Sequence, residues 1–242
     1  LTLDFLGVLM LATILGANTH DYADIMEQVW AFRHRQFVER LGWEACRRAD
    51  QREIDQFDGD EAIHLPLIVG GYVVGYSRLL PTLKPHLLSD VYPHLMDGAE
   101  WPRGPRVYEW TRCIAEVSDK TIAGVPISNI LMTGVMEYCL VAGIGTLVVE
   151  THPKLVNLLL TTGWDVMPLA APSMLDGSLI VPITAKPSMA GLLRHHELYG
   201  ITGSVLDLDR APGNPFAPAP LQRLAFADEL HGYIEYARIA GE

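Results

Sequence analysis

Read at the helical period, Met26, Trp30, Arg33, Phe37 and Leu41 of MEQVWAFRHRQFVERL fall within one narrow sector of a helix. Arg33 therefore sits on an apolar stripe. A guanidinium cannot give up its proton, so at such a position it must reach water, pair with a carboxylate or hold a ligand. Candidate carboxylates follow closely: past Trp43 the chain turns polar and supplies Glu53, Asp55 and Asp58, interleaved with Ile54 and Phe57. A helix face carrying one Arg, an aromatic at the helix exit and an acidic segment folded back over both make a small charged pocket, and the chemistry is expected there. Alternation along YVVGYSRLL puts Val74, Tyr76, Arg78 and Leu80 on one face, so Arg78 is a second cation among apolar neighbours; its plain alternative is an edge residue snorkelling to water. In RVYEWTRCIA, Glu109 and Arg112 stand mid-strand at a spacing that puts them on opposite faces unless a β-bulge intervenes. Bulges recur beside active sites, and one is expected here. The alternatives are structural: Glu109 with Arg112 as a pair within the sheet, Arg33 with Asp55 as a tether, Trp43 and Phe37 as core.

The elements that must position these residues alternate along the chain. A strand over 8–15 leads to a helix over 21–41, with Asn18–Asp21 supplying capping residues and Gly42 ending it. Residues 44–62 read as an ordered surface loop. His64–Val69, a Gly70-Gly71 turn and Tyr72–Leu80 form a hairpin that Pro81 stops. Residues 83–105 are a long excursion with a short helical turn at best. After the strand 106–115 come a helix opened by Ser128-Asn129, a buried strand over 143–150, a helix opened by Pro153, and strands Asp165–Leu169 and Ser178–Thr184. Mixed hairpin and crossover connections imply a three-layer α/β/α sandwich around a mixed sheet. From Asp207 a proline-rich linker and a short helix near 221–239 read as an appendage, leaving residues 1–206 as one large domain.

With 29 acidic against 18 basic side chains, a net charge of −11 argues against a nucleic-acid surface and against an anionic membrane. Cys46, Cys113 and Cys139 are widely spaced and no His cluster has metal spacing, so neither a disulfide framework nor a metal site is indicated, and a reducing cytoplasm fits. The histidines, among them His20, His34, His64, His195 and His196, show no partner pattern and read as surface or core. The apolar start LTLDFLGVLMLATILG lacks a basic flank, carries Asp4 and is shorter than a membrane span, so a buried strand is expected.

Arg33, Phe37 and Trp43, then REIDQFD with Asp55 and Asp58, GYSRLLPT with Arg78, PHLLSDVYPHL, and YEWTR with Glu109 and Arg112 resemble, in order and spacing, the acyl-homoserine-lactone synthases of the LuxI type. Eight polar or aromatic positions fall in register within roughly residues 8–185. The resemblance implies a fold similar to the GNAT acyltransferases, with a V-shaped cleft between splayed parallel strands. It implies a quorum-sensing signal synthase that acylates the amine of S-adenosylmethionine from a thioester and then closes the lactone, releasing 5′-methylthioadenosine. Both are substrates, and no cofactor is implied. S-adenosylmethionine carries a carboxylate, a sulfonium and an ammonium; a site beside Arg33, Asp55, Asp58 and Arg78 offers both signs of charge. Trp43 and Phe37 exclude water and face the sulfonium or adenine. Glu109 is the nearest candidate general base, directly or through water, although an ordinary Glu with a pKa of about 4.3 is a poor base for an amine. Backbone N–H groups freed by a bulge near Arg112 serve the oxyanion.

The segment SDKTIAGVPIS lacks the Gly-rich pyrophosphate loop of GNAT enzymes, which leaves the donor open between acyl-CoA and acyl-carrier protein. The acidic chain, whose one dense basic group is Arg47, Arg48 and Arg52, leans toward acyl-CoA, since carrier proteins dock on basic surface. An acyl pocket is expected from Leu131, Met132, Val135, Val148 and Leu158. Val148 stands where many synthases of 3-oxo signals carry a hydroxyl, so a product without a 3-oxo group is expected. The rivals are another GNAT-type N-acyltransferase and a non-catalytic module that binds an acyl thioester.

Overall fold

The computed structural model describes residues 9–116 and 121–206; the tail expected to be a linker and helix lies outside them. In chain order the regular elements are strands β1 (Leu9–Leu11) and β2 (Ile14–Leu15), helix α1 (Ala23–Arg33), strands β3 (Ile63–Val69) and β4 (Tyr72–Pro81), and helix α2 (Leu87–Asp90). Strands β5 (Val107–Ala115), β6 (Thr121–Ile122) and β7 (Val125–Pro126) follow, then α3 (Ile127–Ala142), β8 (Thr146–Thr151) and α4 (Pro153–Thr161). Strands β9 (Asp165–Pro168), β10 (Ser173–Leu175) and β11 (Ser178–Lys186) and helix α5 (Met189–Tyr199) complete the set. Strands of both senses and intervening helices give the α/β class with mixed pairing. The described residues divide into two compact units, and β5 passes from one to the other at Arg112.

The first unit draws on Leu1–Leu79, Arg112–Val135 and Val205–Pro215. Here β1 and β2 pair antiparallel with β3, and β3 with β4, setting His64 opposite Arg78. The register shifts between Leu67 and Ile68, a bulge-type irregularity in the hairpin. The expected single strand over 8–15 is thus two short ones. Asn18–Asp21 do not cap α1; they belong to a 3-10 turn, Gly16–Tyr22, and Tyr22 supplies no side-chain cap. That turn requires Gly16, where a Cβ would lie 1.9 Å from the Gly59 carbonyl oxygen. Helix α1 buries Met26, Val29, Trp30 and Phe32 against Ile14, Ile68, Val73 and Tyr76. After Arg33 the hydrogen bonding widens to a π-helix over His34–Arg40, and Gly42, at φ 73°, ends it as expected. The α period therefore does not carry past Arg33, and Leu41, expected on the buried stripe, is 48% exposed.

The second unit draws on Leu80–Thr111 and Met136–Ser204. The first half of β5 runs parallel to β8, with Val107 to Glu109 registered on Thr146 to Val148; β8 pairs antiparallel with β11, and β11 with β9 and β10. Val148 packs with Leu88, Leu95 and Met96. The excursion over 83–105 contains α2 and a 3-10 turn. Helix α5 had no counterpart in the sequence reading; Ser188 caps it and Gly200, left-handed, closes it.

Candidate active site

The first unit gathers most of the residues singled out by chemistry. Helix α1 delivers Arg33, the loop over 47–62 delivers Glu53, Asp55 and Asp58, β4 delivers Arg78, and the second half of β5 delivers Arg112. Arg33 Nε donates to Glu53, and its Nη1 donates to Asp58 Oδ1 at 2.7 Å. Arg78 grips Asp55 through both terminal nitrogens, at 2.7 and 2.9 Å, and reaches Asp58 at 2.6 Å. Arg112 Nη2 donates to Glu53 at 3.1 Å and to Asp55 at 2.9 Å. Three guanidiniums are thus matched by three carboxylates.

Glu53 was recognised as one acid of the run but not assigned to the site; in the structure its side chain is 1% exposed and links Arg33 to Arg112. Of the three candidate acids, Asp55, the partner in the tether alternative, stands farthest from Arg33, at 4.0 Å. Nor does Arg78 snorkel: it is fully buried. Of the expected surface loop, the acids at 53 and 58 lie inside because each neutralises an α1 or β4 cation that the apolar stripe drags into the core. Arg33 Nη2 and Arg78 Nε are buried with no hydrogen-bond acceptor among the described residues.

The aromatics complete the site. Trp43 lies 4.7 Å from Phe37, and the Arg112 guanidinium sits 5.2 Å from the Trp43 ring centroid and 5.4 Å from that of Phe37. Phe37 is buried, but Trp43, expected to close off water, is 42% exposed. Arg112 has φ 55°, a left-handed backbone inside β5 at the place where the sequence leads one to expect a bulge.

Charge shifts follow the geometry. Burial opposes ionisation of Glu53, but Arg33 and Arg112 win and hold its carboxyl below the ordinary value. Asp58, also buried, is held well below its own by Arg33 and Arg78. His64, read from sequence as lacking a partner, is buried with Nδ1 2.6 Å from the Tyr76 hydroxyl. Burial, against the pull of Asp58 and helped by Arg33 and Arg78, drives its pKa down to about 3. A free imidazole titrates near 6.5, so below that pH the unfolded chain binds a proton the folded one refuses. The stability His64 contributes is complete above pH 6.5 and drains away as the pH falls toward 3; Glu53 and Asp58 add losses of the same sign at lower pH. Urea unfolding should therefore lose about 2 kcal/mol through His64 between pH 6.5 and 4.5. A His64→Asn variant should show that much less pH dependence over the interval; an identical dependence would overturn the assignment.

In the second unit Glu109 is fully buried. Its Oε1 accepts from Leu88 N–H at 2.6 Å and Oε2 from Leu87 N–H at 2.9 Å, so it caps the first turn of α2. His86 Nδ1, 3.0 Å from Oε1, completes the set and faces Trp101 edge-on. Neither His86 nor Glu150, a carboxyl at the end of β8, was marked by the sequence: a lone histidine in a proline-rich stretch and a lone acid closing an apolar run carry no spacing signal. Burial and the charge of Glu109 hold Glu150 well above the usual carboxylate range. Of the acyl-pocket residues, Leu131 and Val135 are buried on the part of α3 that belongs to the first unit, where Met132 is half-buried. Val148 is buried in the second unit's core, but Leu158 is 39% exposed, because α4 turns Leu159 inward instead. Among the described residues no cluster could hold a metal ion, and no helix is long and apolar enough to cross a membrane.

The autoinducer synthase family model matches residues 17–184. The chain is 32% identical, over 90% of its length and 98% of the relative's, to the isovaleryl-homoserine lactone synthase of Bradyrhizobium diazoefficiens. It is 26% identical, over 72% of this chain and 87% of the relative, to an acyl-homoserine-lactone synthase of Pseudomonas aeruginosa. Among solved structures it resembles BjaI, a CoA-dependent acyl-homoserine lactone synthase solved with SAM and isopentyl-CoA, at a TM-score of 0.77 and 30% identity, covering 91% of this chain and 99% of that one. It also resembles MesI, a CoA-dependent synthase, at a TM-score of 0.74 and 28% identity, covering 81% of this chain and 98% of that one.

Proposed function

The chain belongs to the autoinducer synthase family and is an acyl-homoserine-lactone synthase, and from this premise we propose that its first unit holds S-adenosylmethionine and that acyl-CoA is the donor. The observation that carries the first part is the balanced network of Arg33, Arg78 and Arg112 with Glu53, Asp55 and Asp58 beside the partly exposed Trp43. A substrate with a carboxylate, an ammonium and a sulfonium needs donors and acceptors fixed side by side. Arg33, Glu53 and Asp58 are committed to one another and shape the pocket. Asp55, the least enclosed of the three acids at 14% side-chain exposure, faces the substrate's cationic end, and the Trp43 ring face suits its sulfonium. Buried guanidinium N–H groups remain for the carboxylate.

Two bonds are made. The amine nitrogen attacks the thioester carbonyl carbon and gives up a proton to Glu109, and the C–S bond breaks with its electron pair going to sulfur, which leaves as the thiolate. The substrate's own carboxylate oxygen then attacks the carbon next to the sulfonium, whose C–S bond breaks to expel 5′-methylthioadenosine. Both reacting groups of the second step lie in one molecule, so a folded bound conformer supplies most of the advantage. Both substrates are consumed, and neither step calls for a resident cofactor.

The donor assignment has its own support. The only dense basic group, Arg47, Arg48 and Arg52, is neutralised by Glu44, Asp50 and Glu27, so it offers little to an acidic carrier protein. Val148 carries no hydroxyl, which favours an acyl group without a 3-oxo function. The wide spacing of the three cysteines fits the cytoplasm, where the proposed donor is made.

The test is mass spectrometry of the protein incubated with S-adenosylmethionine and isovaleryl-CoA or isovaleryl-carrier protein. An isovaleryl-homoserine lactone with stoichiometric methylthioadenosine is expected from the CoA ester. Product from the carrier-protein ester alone would overturn the donor assignment, and methylthioadenosine release with neither would overturn the reaction's second step.

A further inference from the structure

The second unit holds a carboxyl that the steps above do not use. Strand β8 pairs in parallel with β5 as far as Glu109 opposite Val148. Side chains repeat every second residue, so Glu150 follows Val148 on the same face of β8, the face that Glu109 shares. On its other flank Glu150 registers with Pro182 of β11, which has no N–H to offer. Its Oε1 is enclosed and has no hydrogen-bond partner among the described residues, its own backbone N–H being the one donor that favours its charge, whereas Glu109 receives two backbone N–H groups and His86. An enclosed carboxyl oxygen without a partner, close to another negative charge, favours the acid. Two carboxyl groups with environments this unequal divide naturally into a base and an acid.

Resting on the synthase reading, we propose that Glu109 and Glu150 are an acid–base pair holding one proton, in which Glu109 takes a proton from the attacking amine and Glu150 gives its own to the departing thiolate. The amine, having lost its ammonium proton to water, forms the N–C bond. Its remaining excess proton passes to Glu109, the C–S electron pair goes to sulfur, and the Glu150 hydroxyl proton follows it to give the neutral thiol. One proton shift from Glu109 to Glu150 restores the pair for the next turnover. Burial and the neighbouring Glu109 charge push the Glu150 carboxyl upward, toward the proton-bearing form this requires.

The experiment compares wild type, Glu150→Gln and Glu150→Asp on two donors, isovaleryl-CoA and the isovaleryl thioester of a nitrothiophenol, whose acidic thiol leaves without help. Thiol and methylthioadenosine release are followed together. Glu150→Gln should lower kcat about 100-fold on the CoA ester, the scale of one positioned proton donor, and only about threefold on the aryl ester. Glu150→Asp, still able to carry a proton, should recover part of the loss on the CoA ester. Equal losses on both donors would make Glu150 a structural residue and overturn the pair, as would a Gln variant as fast as wild type on isovaleryl-CoA. Were wild type itself to release no methylthioadenosine with either donor, the synthase reading would fall and the pair with it; an active wild type confines any failure to the pair.

Discussion

Replacing Glu109 by Gln should abolish most signal synthesis, with kcat lower by about 10²- to 10⁴-fold, the range a general base contributes. The geometry sharpens the expectation. Glu109 accepts from Leu87 N–H, Leu88 N–H and His86, so it is a fully committed carboxylate whose two oxygens are fixed in place. Gln has the same shape but turns one oxygen into an NH₂ group, which would meet a donor N–H instead of accepting from it. The first turn of α2 should therefore loosen as well as the base being lost, and hydrogen exchange at Leu87 or Leu88 should quicken. If the base role is correct, kcat falls while KM for S-adenosylmethionine stays within a fewfold, because the proton transfer is made only in the transition state. A Gln variant that turns over normally would leave Glu109 as a helix cap and nothing more. It would also revive the reading of the domain as a non-catalytic thioester-binding module.

Replacing Glu53 by Ala should destabilise folding by about 3–5 kcal/mol, the cost of leaving a buried charge without its partner. Among the described residues Glu53 is the carboxylate that hydrogen-bonds both Arg33 and Arg112, and both guanidiniums are buried. Without it Arg33 keeps only Asp58 as a close partner and Arg112 only Asp55. Asp55→Ala should cost less, because Asp55 retains contact with water and the cations it serves keep Asp58 or Glu53. Urea unfolding of the two variants settles the order. Equal stabilities would mean that water reaches the cluster and that its charges are already screened. A hydrophobic replacement of the whole network would stabilise about as well as the ion pairs do, so their arrangement is better explained by the ligand they present than by the stability they add.

Much of this protein follows from its sequence. Period-two and helical patterns located the β3–β4 hairpin, β5, α3, β8, α4, β9 and β11, because each buries one face and burial leaves a mark on residue order. The charged set of Arg33, Asp55, Asp58, Arg78 and Arg112 was equally legible: an unpaired cation on an apolar stripe demands an acid, and the sequence placed acids near by. The tertiary structure alone decided who pairs with whom. That Glu53 rather than Asp55 takes the Arg33 guanidinium, and that Arg78 turns inward, depends on angles between α1, the loop and β4 that no local spacing encodes. The α period failed at the π-helical turn after Arg33, where the hydrogen-bond step changes and Leu41 swings to the surface. His86 and Glu150 escaped notice for the same reason. A residue's proton affinity is set by the donors, charges and enclosed volume that distant segments bring to it, and these exist only once the chain has folded.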